Sequence, residues 1–331
     1  MQHVRGLFKV GMVIVCGAFC AAAAEQAFAQ GAAGYPNKRI RFLLGYPPGG
    51  ATDPIARAVG QKLTEAWGQQ VVIEHRPGAG TNIASEALAR SAPDGYTLFL
   101  PTVANAINPT LYPKLAYDPV RDFAFVTNIA KVPGIVVAHP SVPVKNIRDL
   151  IALAKARPDE LRYASPGLGS THHLVGELFN AAAGVKIIHV PYKGAGAALI
   201  DTAGGHVELC FGALVSTLPH VRSGRLRALG VTSLKRVAAA PDLATLDEQG
   251  LKGFETASWY GVVVPAGTPP DIIHKLNAEI VRALADPQVR NWMANDGAEV
   301  IGDTPGEFTA FFKAELVKWG KAVKASGAKA E

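Results

Sequence analysis

Cysteine is scarce in this sequence, and two of its three, Cys16 and Cys20, fall within the first twenty residues. Neither is preceded by the small residue of a lipoprotein cleavage site, since Val15 and Phe19 stand there. Cys210 alone stands further along, so a processed chain has neither an internal disulfide nor a thiolate metal cluster. Long apolar runs are missing too. The one candidate, Val10 to Ala24, is shorter than the roughly 20 residues a spanning helix needs. Like charges do not cluster, and no basic stripe interleaved with aromatics suggests nucleic acid. Low-complexity linkers and repeats of about 20 to 50 residues are absent as well.

What stands at the N-terminus is a leader. His3, Arg5 and Lys9 precede the apolar run, and Ala27-Phe28-Ala29 makes a small-x-small site, so residues 1–29 read as a secretory signal cut after Ala29. Removing it takes out Arg5 and Lys9 against Glu25, and the formal net charge falls from +6 to +5. That mild positive balance favours anionic small molecules by long-range attraction. At 331 residues, with 49% hydrophobic and 18% charged, the chain suits an exported, soluble protein of two domains.

Short apolar strands alternate with amphipathic helices, which predicts α/β architecture with parallel sheets. Strand Ile40 to Leu44 enters Gly45-Tyr46-Pro47-Pro48-Gly49-Gly50-Ala51-Thr52-Asp53-Pro54, where Asp53 and Pro54 read as N-cap and first helical residue. The amides of Gly49 to Thr52 then lie near the positive end of a helix dipole, where an anion binds without a cationic side chain. An ordinary strand-to-helix connection explains this stretch equally well. The device recurs, however, at 77 to 82, 165 to 172 and 192 to 197. Asn105 to Tyr112 reads as a loop with a short helical turn. Ser170 reads as the N-cap of a helix to about Ala183, and Thr304-x-x-Glu307 as a capping box.

These turns lack enzyme fingerprints. Gly167-x-Gly169 and Gly194-x-Gly196 have His172 and Leu199 in place of the third glycine of a dinucleotide motif, and no phosphate loop, His-Glu-x-x-His or Gly-x-Ser-x-Gly occurs. His173 and Glu177 at i, i+4 are two ligands short of a metal site, and a serine at an N-cap, such as Ser170, is ordinarily only a cap. No cofactor, metal or activated nucleophile is expected. In an open α/β sheet such turns gather at the carboxyl ends of the strands, and two facing pairs would grip a small polycarboxylate.

Several motifs together resemble the periplasmic substrate-binding proteins of tripartite tricarboxylate transporters, the Bug family. They are Pro-Pro-Gly-Gly-x-x-Asp at 47–53, Arg-Pro-Gly-Ala-Gly-x-Asn-Ile at 76–83, Pro-Asp-Gly-Tyr-Thr-Leu at 93–98, Asn105 to Tyr112, Gly167-x-Gly169-Ser170-x-x-His173-Leu174, Pro191-Tyr192-Lys193-Gly194 and Val264-Pro265-Ala266-Gly267-Thr268-Pro269. The match runs from about Tyr35 to Trp319. It implies a two-lobed type II periplasmic binding fold, a Venus flytrap with two crossover strands. The points where helix-and-turn units stop and apolar strands resume put these near 128–135 and 258–264. The first lobe would span 30–130 and 261–331, and the second 131–260.

The resemblance further implies a monomeric periplasmic receptor that passes a small carboxylate to membrane permease subunits without itself inserting in the membrane. The ligand class stays open among di- and tricarboxylates, acidic amino acids and aromatic acids. A sensor subunit or an exported hydrolase is the alternative. Carried onto this chain, Ala51, Thr52, Asp53, Thr81, Asn82 and Asn105 would line one wall, and Ser165, Gly169, Ser170, Thr171, His172 and Tyr192 the other. Asp53, an anion, would serve through its backbone or by orienting a water or amino group, and His173 would either face the ligand or pack inward. Two departures stand out: Thr81 and Ala84 replace glycines common in the family, and Glu208 replaces an aspartate.

Overall fold

The computed structural model describes residues 34–326. The leader, its cut after Ala29, and Cys16 and Cys20 lie outside that range. Strand β1 (Ile40–Leu44), helix α1 (Thr52–Trp67), β2 (Val71–His75), α2 (Asn82–Ala89), β3 (Thr97–Leu100) and α3 (Val103–Leu111) come first. There follow β4 (Phe123–Ala138), α4 (Ile147–Ala156), β5 (Arg162–Ser165), α5 (Thr171–Ala183), β6 (Ile188–Pro191), α6 (Ala195–Ala203), β7 (Leu209–Ala213), α7 (Leu214–Arg222) and β8 (Arg227–Val231). Strand β9 (Ala257–Pro265), α8 (Pro270–Ala285), α9 (Pro287–Asn295), β10 (Glu299–Val300) and α10 (Pro305–Ser326) complete the fold. Among the described residues no helix is long and apolar enough to cross a membrane.

The outer strands are parallel, as repeated strand-helix units require: β2-β1-β3 in one half and β6-β5-β7 in the other. The inner strands are antiparallel, because β9 returns between β3 and β4. The 16-residue β4 joins the halves. From Phe123 to Pro133 it pairs with β9, and from Gly134 to Ala138 with β7 and β8. Gly134 sits where partners change, with its amide bonded to Thr232 Oγ1. The chain returns through Thr256, whose amide donates to the Thr232 carbonyl. The result is two lobes, each a mixed sheet flanked by helices.

Two local expectations change. Helix α1 begins at Thr52 with Ala51 as N-cap, so Asp53 is not a cap; its carboxylate turns to Arg57 and to His75, 2.8 Å from each. The stretch expected as a loop with a short helical turn at 105–112 is helix as far as Leu111. Thr102 and Asn105 form a capping box that starts α3 two residues earlier, and Pro109 is tolerated within it. The Ser170 cap and the Thr304/Glu307 box are present as read.

One buried carboxylate anchors the C-terminal helix. Glu315 Oε2 accepts from the indole nitrogens of Trp259, at 2.9 Å, and Trp319, at 2.7 Å, while Phe308, Phe311 and Phe312 present edges to Trp259. Glu315→Ala leaves two buried N–H groups unpaired. It is expected to lower unfolding free energy by about 2–6 kcal/mol in urea titrations, each orphaned donor costing about 1–3 kcal/mol.

Candidate functional site

The glycine turns meet between the lobes. From the first lobe come Tyr46 to Thr52, at the start of α1, and Pro77 to Thr81, at the start of α2; from the second come Pro166 to His172, at the start of α5, and Tyr192 to Ala195, at the start of α6. Contact between lobes here is backbone against backbone. A Cβ on Gly196 would lie 3.3 Å from the Pro48 carbonyl oxygen, and one on Gly194, at φ +113°, would lie 2.6 Å from Pro47 Cγ. Only glycine permits so near an approach at that φ.

Two compartments share the wall of Tyr46, Pro166 and Ser170. The inner one has about 50 Å³ of free volume. Besides that shared wall its lining comprises Gly50, Ala51, Thr52, Thr102, Thr171, His172, Ala195, Ala213, Ser216, Ser258 and Tyr260, with no Asp, Glu, Lys or Arg among them. The positive ends of α1, α5 and α6 all reach this chamber. No side chain caps α1 or α6, so their leading amides have no intrahelical partner. The outer compartment, about 520 Å³, is walled by Pro47, Pro77, Tyr112, Leu168 and Tyr192, with Lys193 its one charged lining residue.

Ala51, Thr52, Ser170, Thr171 and His172 thus line the inner chamber, and Thr81, Ser170 and Tyr192 the outer one. Five other expected residues lie behind the walls. Asp53 is held by Arg57 and His75. Asn82 Oδ1 accepts from Asn108 and from the Tyr117 hydroxyl, and Asn105 Nδ2 donates to Ser85 Oγ. Ser165 Oγ lies 2.6 Å from His189 Nε2, and the Gly169 amide donates to His173 Nδ1. Each of these polar groups has a structural partner, which turns it from the ligand space.

The Ser165–His189 pair has the spacing of a nucleophile and a base, yet Ser165 is 0% exposed and lines neither compartment. His173 packs inward, its ring stacked on His189 with centroids 4.1 Å apart. Glu208 accepts from the Arg162 amide and faces its guanidinium, tying β5 to the loop before β7. Among the described residues no group of acids, histidines or cysteines is arranged to hold a metal.

Sequence reasoning missed Tyr46, Thr102, Ser216, Ser258 and Tyr260. Tyr46 lay inside a motif already singled out. Ser258 and Tyr260 alternate along β9, a signal of a shared face but not of which face meets the cleft.

Three polar atoms on the lining are buried without a partner: Thr52 Oγ1, Thr81 Oγ1 and His172 Nε2. Burial pushes the His172 imidazole down to about 4, and burial followed by the nearby His173 ring pushes His189 down to about 3. Burial likewise raises the Tyr46 phenol, and it brings Tyr260 up to about 12. At neutral pH every side chain of the inner chamber is therefore uncharged.

A two-lobed α/β fold with a ligand-sized space between lobes, walled by helix N-termini, defines a solute-binding protein of the periplasmic type. Sequence comparison matches the family described as "Tripartite tricarboxylate transporter family receptor" over residues 55–328. Protein BugT of Bordetella pertussis is 38% identical over 297 residues, covering 89% of this chain and 91% of that one. Among solved structures, an R. palustris protein with adipate is 37% identical, with a TM-score of 0.87 over 89% of this chain and 99% of that chain. MatC from Rhodopseudomonas palustris with bound malate is 31% identical, with a TM-score of 0.83 over 87% and 100%. The chain belongs to the tripartite tricarboxylate transporter receptor family.

The histidines set a pH dependence. Both His172 and His189 are neutral in the fold, whereas in the unfolded chain each titrates near 6.5. Their depressed values contribute stability that is complete above pH 6.5 and is lost as pH falls through that value towards about 4 and 3. His172→Gln and His189→Gln are each expected to flatten the fall in unfolding free energy below pH 6.5, by up to about 1.4 kcal/mol per pH unit, in denaturant titrations across that range. Separately, Gly194→Ala is expected to wedge the lobes apart at Pro47, raising the radius of gyration in solution scattering.

Proposed function

We propose that this chain is a monomeric periplasmic receptor that holds a small carboxylate between its lobes for uptake by the permease subunits of a tripartite tricarboxylate-type transporter. In this reading the first lobe comprises 30–130 and 261–331, the second comprises 131–260, and residues 1–29 direct export. One observation carries the ligand class: three helix N-termini converge on a chamber whose side chains are all neutral. Such a chamber stabilises an anion through amides and hydroxyls without a fixed counter-ion. A cation would meet the positive ends of three dipoles and no acid, because Asp53 is engaged by Arg57 and His75. Relatives solved with adipate and with malate are consistent with a carboxylate.

Binding both walls at once favours the closed arrangement over an open one, and only that difference in affinity shifts the lobes. No nucleic acid, cofactor or metal enters this account. Hydrolysis has no support at Ser165, which is buried and lines neither compartment.

The test is a thermal-shift panel of linear dicarboxylates, hydroxy acids, tricarboxylates, aromatic acids and acidic amino acids on the mature chain. A cognate carboxylate raises the melting temperature by mass action, by about 2.7 kcal/mol of added stability at 100 times its Kd, and is recovered unchanged by NMR. Consumption of the best binder, or no shift with any acid, overturns the reading.

A further inference from the structure

Thr81 is placed against several local rules at once. Gly78, Ala79, Gly80 and Thr81 form an unbroken run of positive φ, at 131°, 46°, 59° and 82°. Glycine adopts such angles without strain; a β-branched residue seldom does. Nor does Thr81 gain a cap by standing there: it is the N-cap residue of α2, and its side chain makes no capping bond. Its backbone is fully engaged, the amide donating to the Gly78 carbonyl and its own carbonyl accepting from Ser85 Oγ. The hydroxyl has no partner although the residue is only 1% exposed. The absence of a side chain at Gly45 makes room for Thr81, since a Cβ there would lie 2.5 Å from Thr81 Cβ and 2.8 Å from its methyl. A strained backbone and an unsatisfied buried hydroxyl, together on the wall of a ligand compartment, are the combination a packing role does not explain.

The compartments differ in ways that say what Thr81 meets. About 50 Å³ in the inner chamber suits one small group, whereas the outer space of about 520 Å³ takes a skeleton and a second group. The shared wall of Tyr46, Pro166 and Ser170 makes the path between them continuous. No acid lines the outer compartment, and the Lys193 ammonium at its edge forms no ion pair among the described residues. We propose that Thr81 is a specificity-determining residue, donating its hydroxyl to the second carboxylate of a dicarboxylate whose first carboxylate fills the inner chamber. This deepens the carboxylate reading above and rests on it.

Strain and recognition can be separated by experiment, because Thr81→Gly moves them in opposite directions. Calorimetry and thermal shift on the mature chain, with succinate, glutarate and adipate against butyrate, valerate and hexanoate, give the readout. Thr81→Gly is expected to raise the melting temperature of the free protein while weakening the best dicarboxylate roughly 10- to 100-fold, with little change for its matched monocarboxylate. Thr81→Ser is expected to retain dicarboxylate affinity, and Thr81→Val, close in shape, to lose it. Equal affinity of wild type and Thr81→Gly for the dicarboxylate overturns the proposal and leaves the carboxylate site standing. Equal weakening of both acids by Thr81→Gly also overturns it. A wild-type chain that binds none of these six acids overturns the proposal, and the carboxylate reading falls with it only where the wider acid panel also gives no shift.

Discussion

The approach of two backbones across the cleft is the constraint on which the site depends. Pro47 to Gly50 from one lobe and Gly194 to Gly196 from the other come within van der Waals distance, with no room for a side chain at Gly194. This nearness brings the starts of α1, α5 and α6 to one small chamber, where their dipoles add. Had the lobes met through larger residues, the same helices would face a wide, wet groove, and water would screen each amide.

Neutrality of the chamber follows from how the surrounding charges are held. Asp53 sits in the first turn of α1, where an acid is favourable to the helix and hostile to an anionic ligand. Arg57 one turn on and His75 on the neighbouring strand both engage it, outside the ligand space. Behind the opposite wall, His173 and His189 stack as neutral rings and support the turn through the Gly169 amide and Ser165 Oγ. Asn82, Asn105 and Ser165 have structural partners that shape the turns, whereas Thr52 Oγ1, Thr81 Oγ1 and His172 Nε2, on residues that line the two compartments, have none.

Legibility in the sequence follows the range of each interaction. Ser170, with its hydroxyl three residues from the amide it caps, and the Thr304/Glu307 box are local, so periodicity and spacing reveal them. Asp53 reads as a cap because that is the local use of an acid before proline, whereas its carboxylate meets Arg57 one turn along α1 and His75 on strand β2. The helix at Val103–Leu111 reads from the sequence only as a short helical turn within a loop, because its proline obscures a capping box that begins before the motif. The resemblance puts Asn82, Asn105 and Ser165 on the cleft walls, because a motif carries residue types and not their hydrogen-bond partners. Their partners, Tyr117, Ser85 and His189, lie 35, 20 and 24 residues away.

The amino-acid order alone determined the alternation of strands and helices, the positions of the four glycine turns and the family to which the chain belongs, because each is written in neighbouring residues. The tertiary structure decided which turn residues face the cleft, how β4 and β9 tie the lobes together, and that a strained threonine stands with an unpaired hydroxyl on the ligand wall. Those outcomes depend on contacts between segments far apart in the chain. The direction of a side chain and the identity of its partner are set only when the sheets close.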